Sequence, residues 1–344
     1  MLRLSDRGNF CNIVAFMRKR LIIYIGLFVL FFHSISAFGQ QLPNYSQYMM
    51  NGFLLNLALA GNDGYTSINL TAREQWLGIS SAPRTHALSV QTRLLKTSYI
   101  SKSTSVRRKI TRPSREGRVG LGGYVFNDKN GIIDRTGFQM TYAYHIPMDD
   151  KQLSFGISVN AFQFSIDENE IVLFDQDDPY LMEYDKIIFI PDANFGVCFH
   201  TPELFVGVSA TQLLRSALKL GNQSYTNYRL LRHYYIMGGY KFDVTPEIVI
   251  QPSILMKSSD SFRSFQIDFN ARVFYKSDYW AGLSFRTSDA MVIMAGVKVS
   301  QYYFGYAFDY SLSNIRKYSF GSHEFMIAVK LGDNARRYRW LNRY

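Results

Sequence analysis

Apolar and polar residues alternate one by one in segment after segment of this chain, and this pattern constrains the fold more than any other feature. In Phe265–Val273 every odd position is apolar and every even position is polar or charged, and the segments 138–146, 153–161 and 324–331 are similar. Successive side chains of a β-strand point to opposite faces, so the pattern predicts strands with one dry and one wet face. No helical spacing competes with it after residue 64.

Fourteen segments of this kind can be counted, several about as long as the roughly 9 to 11 residues of a tilted membrane strand. They are 65–72, 86–95, 118–127, 135–147, 152–167, 192–200, 204–212, 232–244, 248–258, 264–275, 279–288, 291–299, 301–313 and 322–332. We therefore predict an all-β fold, a transmembrane antiparallel up-and-down β-barrel of about 14 strands. A soluble β-sandwich is the alternative, because alternating strands and turns would serve it equally well.

The lengths of the connections favour the barrel. If the mature N-terminus is periplasmic, periplasmic turns should follow the even-numbered strands, and such turns are short in outer-membrane barrels. Five of the six expected positions carry short connections, at 148–151, 201–203, 245–247, 276–278 and Ser300. The longest connections after residue 130, at 168–191 and 213–231, fall on the opposite side. A sandwich gives no reason for this order.

Aromatic residues gather near the predicted strand ends, in a chain with 24 Tyr and 27 Phe. Such clusters resemble the interfacial girdles of outer-membrane barrels, although core aromatics would give a similar pattern. The residues expected in the girdles are Tyr234, Tyr235, Tyr275, Tyr279, Trp280, Tyr302 and Tyr303.

The N-terminus has the features of an export signal. Basic residues 18–20 precede an apolar run, Leu21–Phe32, and small residues at Ala37 and Gly39 suit a signal peptidase. We expect residues 1–39 to be removed, with Met17 as an alternative start; a membrane anchor is less favoured because about 12 apolar residues are too few to cross a bilayer. The expected mature organisation is a strap or plug at 40–64, a barrel at 65–332 and a basic tail at 333–344.

The net charge of +11 is concentrated in three places: the signal, the tail, and residues 101–118. Together they exceed the net charge of the whole chain, so the barrel itself is nearly neutral, and we expect no nucleic-acid partner. The segment 101–118 is either a solvated loop or a docking surface for an acidic periplasmic partner or anionic lipid headgroups. Its basic residues are Lys102, Arg107, Arg108, Lys109, Arg112, Arg115 and Arg118.

An acidic stretch, residues 167–185, lies in a connection that should face the other side of the membrane. Asp175, Asp177 and Asp178 could offer oxygen ligands to Ca²⁺, but no EF-hand pattern is present, so we expect no metal site.

No motif indicates catalysis, and we expect neither enzymatic activity nor a cofactor. Gly120–Gly123 lies within a strand pattern and does not join a strand to a helix, which argues against a nucleotide-binding loop. His323-Glu324 lacks the second His of a zinc protease helix. Asp268 and Arg272 share a predicted face, and we expect them to pair inside the lumen, because a charge facing lipid at mid-bilayer costs roughly 2 to 4 kcal/mol.

An ordered set of short motifs resembles the PorP/SprF family of type IX secretion system membrane proteins of the Bacteroidota. The stretch before the first strand is similar to that family's Tyr/Phe-Ser-Gln-Tyr and Asn-Pro-Ala-Tyr-Ala-Gly elements, although Leu57 replaces the proline and Leu59 the aromatic residue. Later stretches resemble its Arg-x-Gln-Trp and Ala-Pro-x-Thr elements and its closing strands. The matching residues include Ser46, Gln47, Tyr48, Asn51, Asn56, Gly61, Arg73, Gln75, Trp76, Pro83, Asp309, His323 and Glu324.

The resemblance implies an outer-membrane barrel that works with the type IX export machinery. It implies partners among the secretion components and their cargo proteins, besides the outer-membrane lipid, and a role in secretion or in presenting gliding adhesins at the surface. The alternative, from the polar face of the strands alone, is a passive porin-like channel for small solutes.

Overall fold

The computed structural model describes residues 43–94, 118–148, 150–166, 187–214, 217–218, 228–259 and 265–332. Its strands are β1 (Thr66–Glu74), β2 (Arg84–Leu94), β3 (Val119–Asn130), β4 (Ile133–Met148), β5 (Lys151–Ile166), β6 (Ile187–His200), β7 (Leu204–Thr211), β8 (Ala217–Leu218), β9 (Tyr228–Arg229), β10 (His233–Tyr240), β11 (Phe242–Asp243), β12 (Ile248–Ser259), β13 (Phe265–Tyr275), β14 (Tyr279–Arg286), β15 (Ala290–Val299), β16 (Tyr302–Ser311) and β17 (Ser322–Leu331). The acidic stretch and all of the basic segment except Arg118 lie outside the described residues, as do the signal and the tail.

The strands form one closed antiparallel sheet. β1 pairs with both β2 and β17, which joins the two ends of the chain. β10 pairs with β7 on one side and β12 on the other, which closes the circle. The two-residue strands β8 and β9 pair only with each other, and β11 is a short strand beside β12. The remaining fourteen strands form the barrel, and each overlaps one of the fourteen segments predicted from alternation.

The two faces of the wall show why this barrel belongs in a membrane. On β13 the outward Phe269 and Val273 are 49% and 43% exposed, whereas the inward Asp268 and Arg272 are fully buried. An apolar outside around a polar inside is the arrangement of a transmembrane barrel and the reverse of a soluble sandwich. The barrel prediction is therefore confirmed and the sandwich alternative is wrong. Within the described residues no helix is long and apolar enough to cross a bilayer.

Five short connections follow β4, β6, β10, β13 and β15, which are the even-numbered members when the barrel strands are counted without β8, β9 and β11. These connections therefore lie at one end of the barrel, here called the turn end. Lys276, Ser277 and Ser300 take left-handed backbone conformations there, with φ of 52°, 59° and 57°. The opposite end, here called the loop end, carries the connection 75–83, the connection 312–321 and the long gap between β7 and β10. Two connections of the loop end, 131–132 and 287–289, are also short. The connections of the loop end are therefore not all longer than those of the turn end.

Residues 43–64, here called the lumenal segment, run through the inside of the barrel. The segment contains two single-turn 3-10 helices, Gly52–Leu54 and Leu57–Leu59. Near its start Asn44 contacts Lys257 by the loop end of β12, and near its finish Asp63 lies 3.0 Å from Lys330 at the turn end of β17. β1 thus begins at the turn end, as the strand order required, but the chain arrives there from the opposite mouth.

The aromatic girdles were only partly predicted correctly. Tyr275, Tyr279 and Tyr302 do face outward, at 44%, 57% and 44% exposure, and Tyr234 is half-buried. The other three expected members, Tyr235, Trp280 and Tyr303, are buried inside the barrel. Neighbouring residues of a strand point to opposite faces, so one member of each adjacent aromatic pair must face the lumen.

Candidate functional site: a lumenal segment held by buried charges

A network of buried charges lies in the lumen near the loop end. Arg73 of β1 sits between two carboxylates: its Nη2 is 2.7 Å from Oδ2 of Asp309 on β16, and its Nη1 is 3.3 Å from Oε2 of Glu324 on β17. The side chains of these three residues are at most 2% exposed. Because β1, β16 and β17 are neighbours in the closed sheet, barrel closure brings the three together.

A second cation extends the network along the wall. Arg286 of β14 lies 3.3 Å from Asp268 and 3.4 Å from Asp309, and it also reaches Asp289 in the next turn at 3.2 Å. Lys257 of β12 is 3.7 Å from Asp268. Three cations, on Arg73, Arg286 and Lys257, thus face the three most buried carboxylates. This balance is needed because an unpaired charge taken out of water costs several kcal/mol.

The lumenal segment completes the network with its own backbone. The N–H groups of Ser46 and Gln47 donate to the two oxygens of Glu324 at 2.6 and 2.8 Å. The Ser46 hydroxyl donates to Asp309 at 2.7 Å and accepts from Arg73 at 2.8 Å. Ser46 therefore joins the segment to both carboxylates and to the arginine between them.

Farther along the lumenal segment, asparagines bind it to the wall. Asn51 donates to the hydroxyl of Ser89 at 2.9 Å. Asn56 is fully buried; its side-chain amide donates to the carbonyls of Val197 and Val208 at 3.0 and 3.3 Å. Its side-chain oxygen accepts from the N–H of Ala58 at 3.0 Å and caps the second 3-10 helix. One residue thus shapes the segment and attaches it to β6 and β7.

Glycines in the wall make the room that the lumenal segment needs. A Cβ on Gly156 would lie 2.4 Å from the backbone of Leu57 and Ala58, and one on Gly120 would lie 2.0 Å from the carbonyl oxygen of Ala60. The glycine-rich stretch 120–123 is therefore a place of close backbone approach inside a strand, which is a known use of glycine.

At the turn end His145 holds the last part of the segment. Its Nε2 lies 3.0 Å from the carbonyl oxygen of Ala60 and must be the donor, because a carbonyl can only accept. Its Nδ1 then accepts, with Gln152 Nε2 at 3.1 Å, and the same amide of Gln152 donates to Asn62 at 3.0 Å.

The motif residues lie in three groups, with His323 apart from them. Ser46, Gln47, Arg73, Asp309 and Glu324 meet at the charge network, whereas Tyr48, Asn51, Asn56 and Gly61 lie along the segment. Gln75, Trp76 and Pro83 belong to the connection 75–83, where the N–H of Gln75 donates to the carbonyl of Pro83 at 2.9 Å. His323 faces outward, 2.7 Å from the Tyr306 hydroxyl.

Asp268 and Arg272 both lie in the lumen, as expected, but the prediction that they pair with each other is wrong. About 13 Å of extended strand separates them, so each reaches a neighbouring strand instead. Asp268 pairs with Arg286 and Lys257, and Arg272 donates to Gln251 at 2.9 Å. The inward position of Arg286 and Lys257 could have been predicted from the sequence. Each is a charged residue in an alternating strand, and lipid disfavours a charge on the outer face.

Arg118, the one described member of the basic segment, is half-buried just before β3, at the turn end. The expected calcium ligands Asp175, Asp177 and Asp178 lie outside the described residues. Among the described residues no three His, Cys, Asp or Glu side chains are grouped as metal ligands would be.

Several solved structures have a related shape but very different sequences. The toluene transporter TbuX of Ralstonia pickettii matches with a TM-score of 0.48 and 8% identity, over 81% of this chain and 92% of the transporter. The outer membrane protein Omp33 of Acinetobacter baumannii matches with a TM-score of 0.43 and 7% identity, over 78% of this chain and 100% of Omp33. Likeness at this level says nothing about what the chain binds or transports. No curated protein sequence matches the chain significantly.

The profile of the family described as type IX secretion system membrane protein PorP/SprF matches residues 37–329, which is most of the chain. This match confirms the resemblance found in the ordered motifs. With the closed barrel and its apolar outer face, it places the protein in the outer membrane. The chain belongs to the PorP/SprF family of type IX secretion system membrane proteins.

Proposed function

We propose that the protein is a non-enzymatic component of the type IX secretion apparatus that acts through its binding surfaces. In this role it supports the secretion of cargo proteins or their presentation at the cell surface, gliding adhesins among them. The observation that carries the proposal is the lumenal segment, which is bonded to the wall from Ser46 at the loop end to Asn62 at the turn end.

The same observation weighs against a passive porin-like channel. Free diffusion needs a continuous water-filled path, and several polar side chains that would line it, Asp309, Glu324 and His145 among them, bind the segment instead. Asn56 and Phe53, in the middle of the segment, are 0% and 1% exposed. The carboxylates of Asp309 and Glu324 accept hydrogen bonds from both the segment and Arg73, which supports a structural role for them over a catalytic one.

The partners are proposed to be type IX components and cargo proteins, with the basic segment 101–118 as one contact surface. β2 ends at Leu94 and β3 begins at Val119, both at the turn end, so the connection starts and finishes there. Its positive charge suits an acidic partner on the periplasmic side.

Two measurements test the proposal together: secretion of type IX cargo by a strain that lacks the protein, and planar-bilayer conductance of the purified protein. We expect lost or reduced secretion that a plasmid-borne copy restores, and no steady large conductance. Normal secretion by the deletion strain combined with open-pore conductance would overturn the proposal in favour of the channel.

A further inference from the structure

Two aromatic side chains at the loop end are exposed to an unusual degree. Tyr318 and Phe320 are 75% and 77% exposed, more than any other large apolar side chain that the structure describes. The outward Met140 on the barrel wall, for comparison, is 63% exposed. Tyr318 and Phe320, together with Leu77 (42%) and Leu312 (37%), form what we call the loop-end patch. Apolar surface of this kind is costly in water and generally marks an interaction site.

The patch is held in place by the pairing of two connections. The N–H of Leu77 donates to the carbonyl of Gly321 at 2.8 Å, and the N–H of Phe320 donates to the carbonyl of Leu77 at 2.7 Å. The N–H of Trp76 donates to the Ser322 hydroxyl at 3.1 Å. The ring of Phe320 lies so close to Gly78 that a Cβ there would be 2.9 Å from it. The exposed rings therefore extend from connections that are hydrogen-bonded to each other.

The position of the patch along the membrane normal follows from β16. Outward aromatic residues cover this strand from Tyr302 (44% exposed) to Tyr310 (49%), and Leu312 is the next exposed residue. Ten residues at about 3.4 Å each, tilted by about 40°, span roughly 25 Å, the height of the apolar band of a membrane barrel. Tyr318 and Phe320 thus lie just beyond the band, at the depth of the lipid headgroups.

The two connections that carry the patch have a positive charge of their own. The 3-10 helix Asn314–Lys317 places Arg316 and Lys317 directly before Tyr318, and both are exposed. Neither residues 75–83 nor residues 312–321 include an acidic residue. Aromatic rings with adjoining cations are the combination that binds an anionic headgroup layer.

We propose that the loop-end patch, with Arg316 and Lys317, is a binding site for a phosphorylated glycolipid of the outer leaflet. The rings of Tyr318 and Phe320 enter the boundary between acyl chains and sugars, and the two cations pair with the phosphates. The continuity of the patch with the lipid-facing band favours a lipid over a protein as its occupant.

Native mass spectrometry of the full-length protein in neutral detergent tests the site, with diphosphorylated lipid A and its dephosphorylated form as probes. We expect the phosphorylated form to bind at least about tenfold more tightly, since each basic residue near an anionic surface contributes roughly fivefold. Arg316→Gln with Lys317→Gln should remove this preference, and Tyr318→Ser with Phe320→Ser should weaken the binding of both forms. Lys276→Gln with Lys298→Gln, at the turn end, should change neither.

Equal binding of the two lipids by the natural protein would overturn the proposal, and so would an unchanged preference after Arg316→Gln with Lys317→Gln. Heat-modifiability on a gel verifies that each variant is a folded barrel. A substitution in the loop-end patch that leaves lipid binding normal but blocks cargo secretion in cells would assign the patch to a protein partner. This result would also overturn the proposal.

Discussion

Ser46 is the residue at which the lumenal segment and the barrel wall are joined most closely. Its amide, its hydroxyl and the next amide all bind Asp309 or Glu324, two carboxylates that Arg73 already joins. The two carboxylates thus stabilise both the closure of the barrel, where β1 pairs with β17, and the start of the lumenal segment. Removing one of them should therefore destabilise both.

Glu324→Ala is expected to lower the free energy of unfolding by about 3 to 5 kcal/mol, because it leaves Arg73 partly unpaired and two backbone N–H groups without an acceptor. Urea unfolding of the detergent-folded barrel, followed by tryptophan fluorescence, measures the change. Glu247→Ala is the control: Glu247 pairs with Lys276 at 3.7 Å on the surface, where such a pair contributes at most about 1 kcal/mol. Equal losses for the two variants would contradict the structural role of Glu324.

The wall glycines permit a similarly local test. Gly156→Ala should destabilise the protein by about 1 to 3 kcal/mol, because the new methyl group would overlap the backbone of the lumenal segment. Gly238→Ala on β10 is the matched control, since its Cβ would have only ordinary contacts, the nearest at 3.5 Å. If thermal unfolding midpoints of the two variants agree, the close packing of the segment against β5 is refuted.

Among the elements, the strands were predictable from sequence and the lumenal segment was not. Successive side chains of a strand in the barrel wall face lipid and lumen in turn. The alternation of apolar and polar residues is therefore enough to locate the strand. The segment has no such period, and its bonds reach residues up to 278 positions away in the chain. Its occurrence as a strap or plug could be inferred from its aliphatic residues, but its path and its partners depend on barrel closure.

The charge network illustrates the same limit at the level of strand pairs. Alternation correctly put Asp268 and Arg272 on the inner face. It could not reveal which inward charges of other strands lie beside them, because that depends on strand register. The motif resemblance singled out Ser46, Arg73, Asp309 and Glu324 without a physical reason, and the structure supplies one by bringing them into contact.

Removing the lumenal segment should turn the barrel into a channel. Deletion of residues 43–62 would take away the groups that bind Glu324, Asn270 and the wall carbonyls of β6 and β7, and leave a polar lumen for water to fill. We expect steady conductance in planar bilayers from the deletion variant and little from the full-length protein. Gly238→Ala, which leaves the segment in place, should behave like the full-length protein; a deletion variant that stays silent although folded would show that other residues block the lumen.

For the molecule as a whole, the lumenal segment starts at the loop end, whereas the sequence analysis took the N-terminus of the barrel to lie on the side of the short turns. Short turns face the periplasm in outer-membrane barrels, which assigns the turn end to that side and the loop end to the cell surface. Since Asn44 contacts Lys257 by the loop end, we predict that the lumenal segment starts on the cell-surface side although β1 begins on the periplasmic side.

Epitope tags on intact cells test this topology. A tag placed directly before Pro43 should be accessible to antibody without permeabilisation, whereas tags at Pro246 in the turn before β12 and at Thr104 in the basic connection should react only after the outer membrane is opened. Accessible tags at Pro246 and Thr104 would show that the turn end, and not the loop end, faces the cell surface. A protected tag before Pro43, with the other two also protected, would mean that the segment enters the lumen from the periplasm, and the contacts of Asn44 and Ser46 with the loop-end wall could not then exist in the cell.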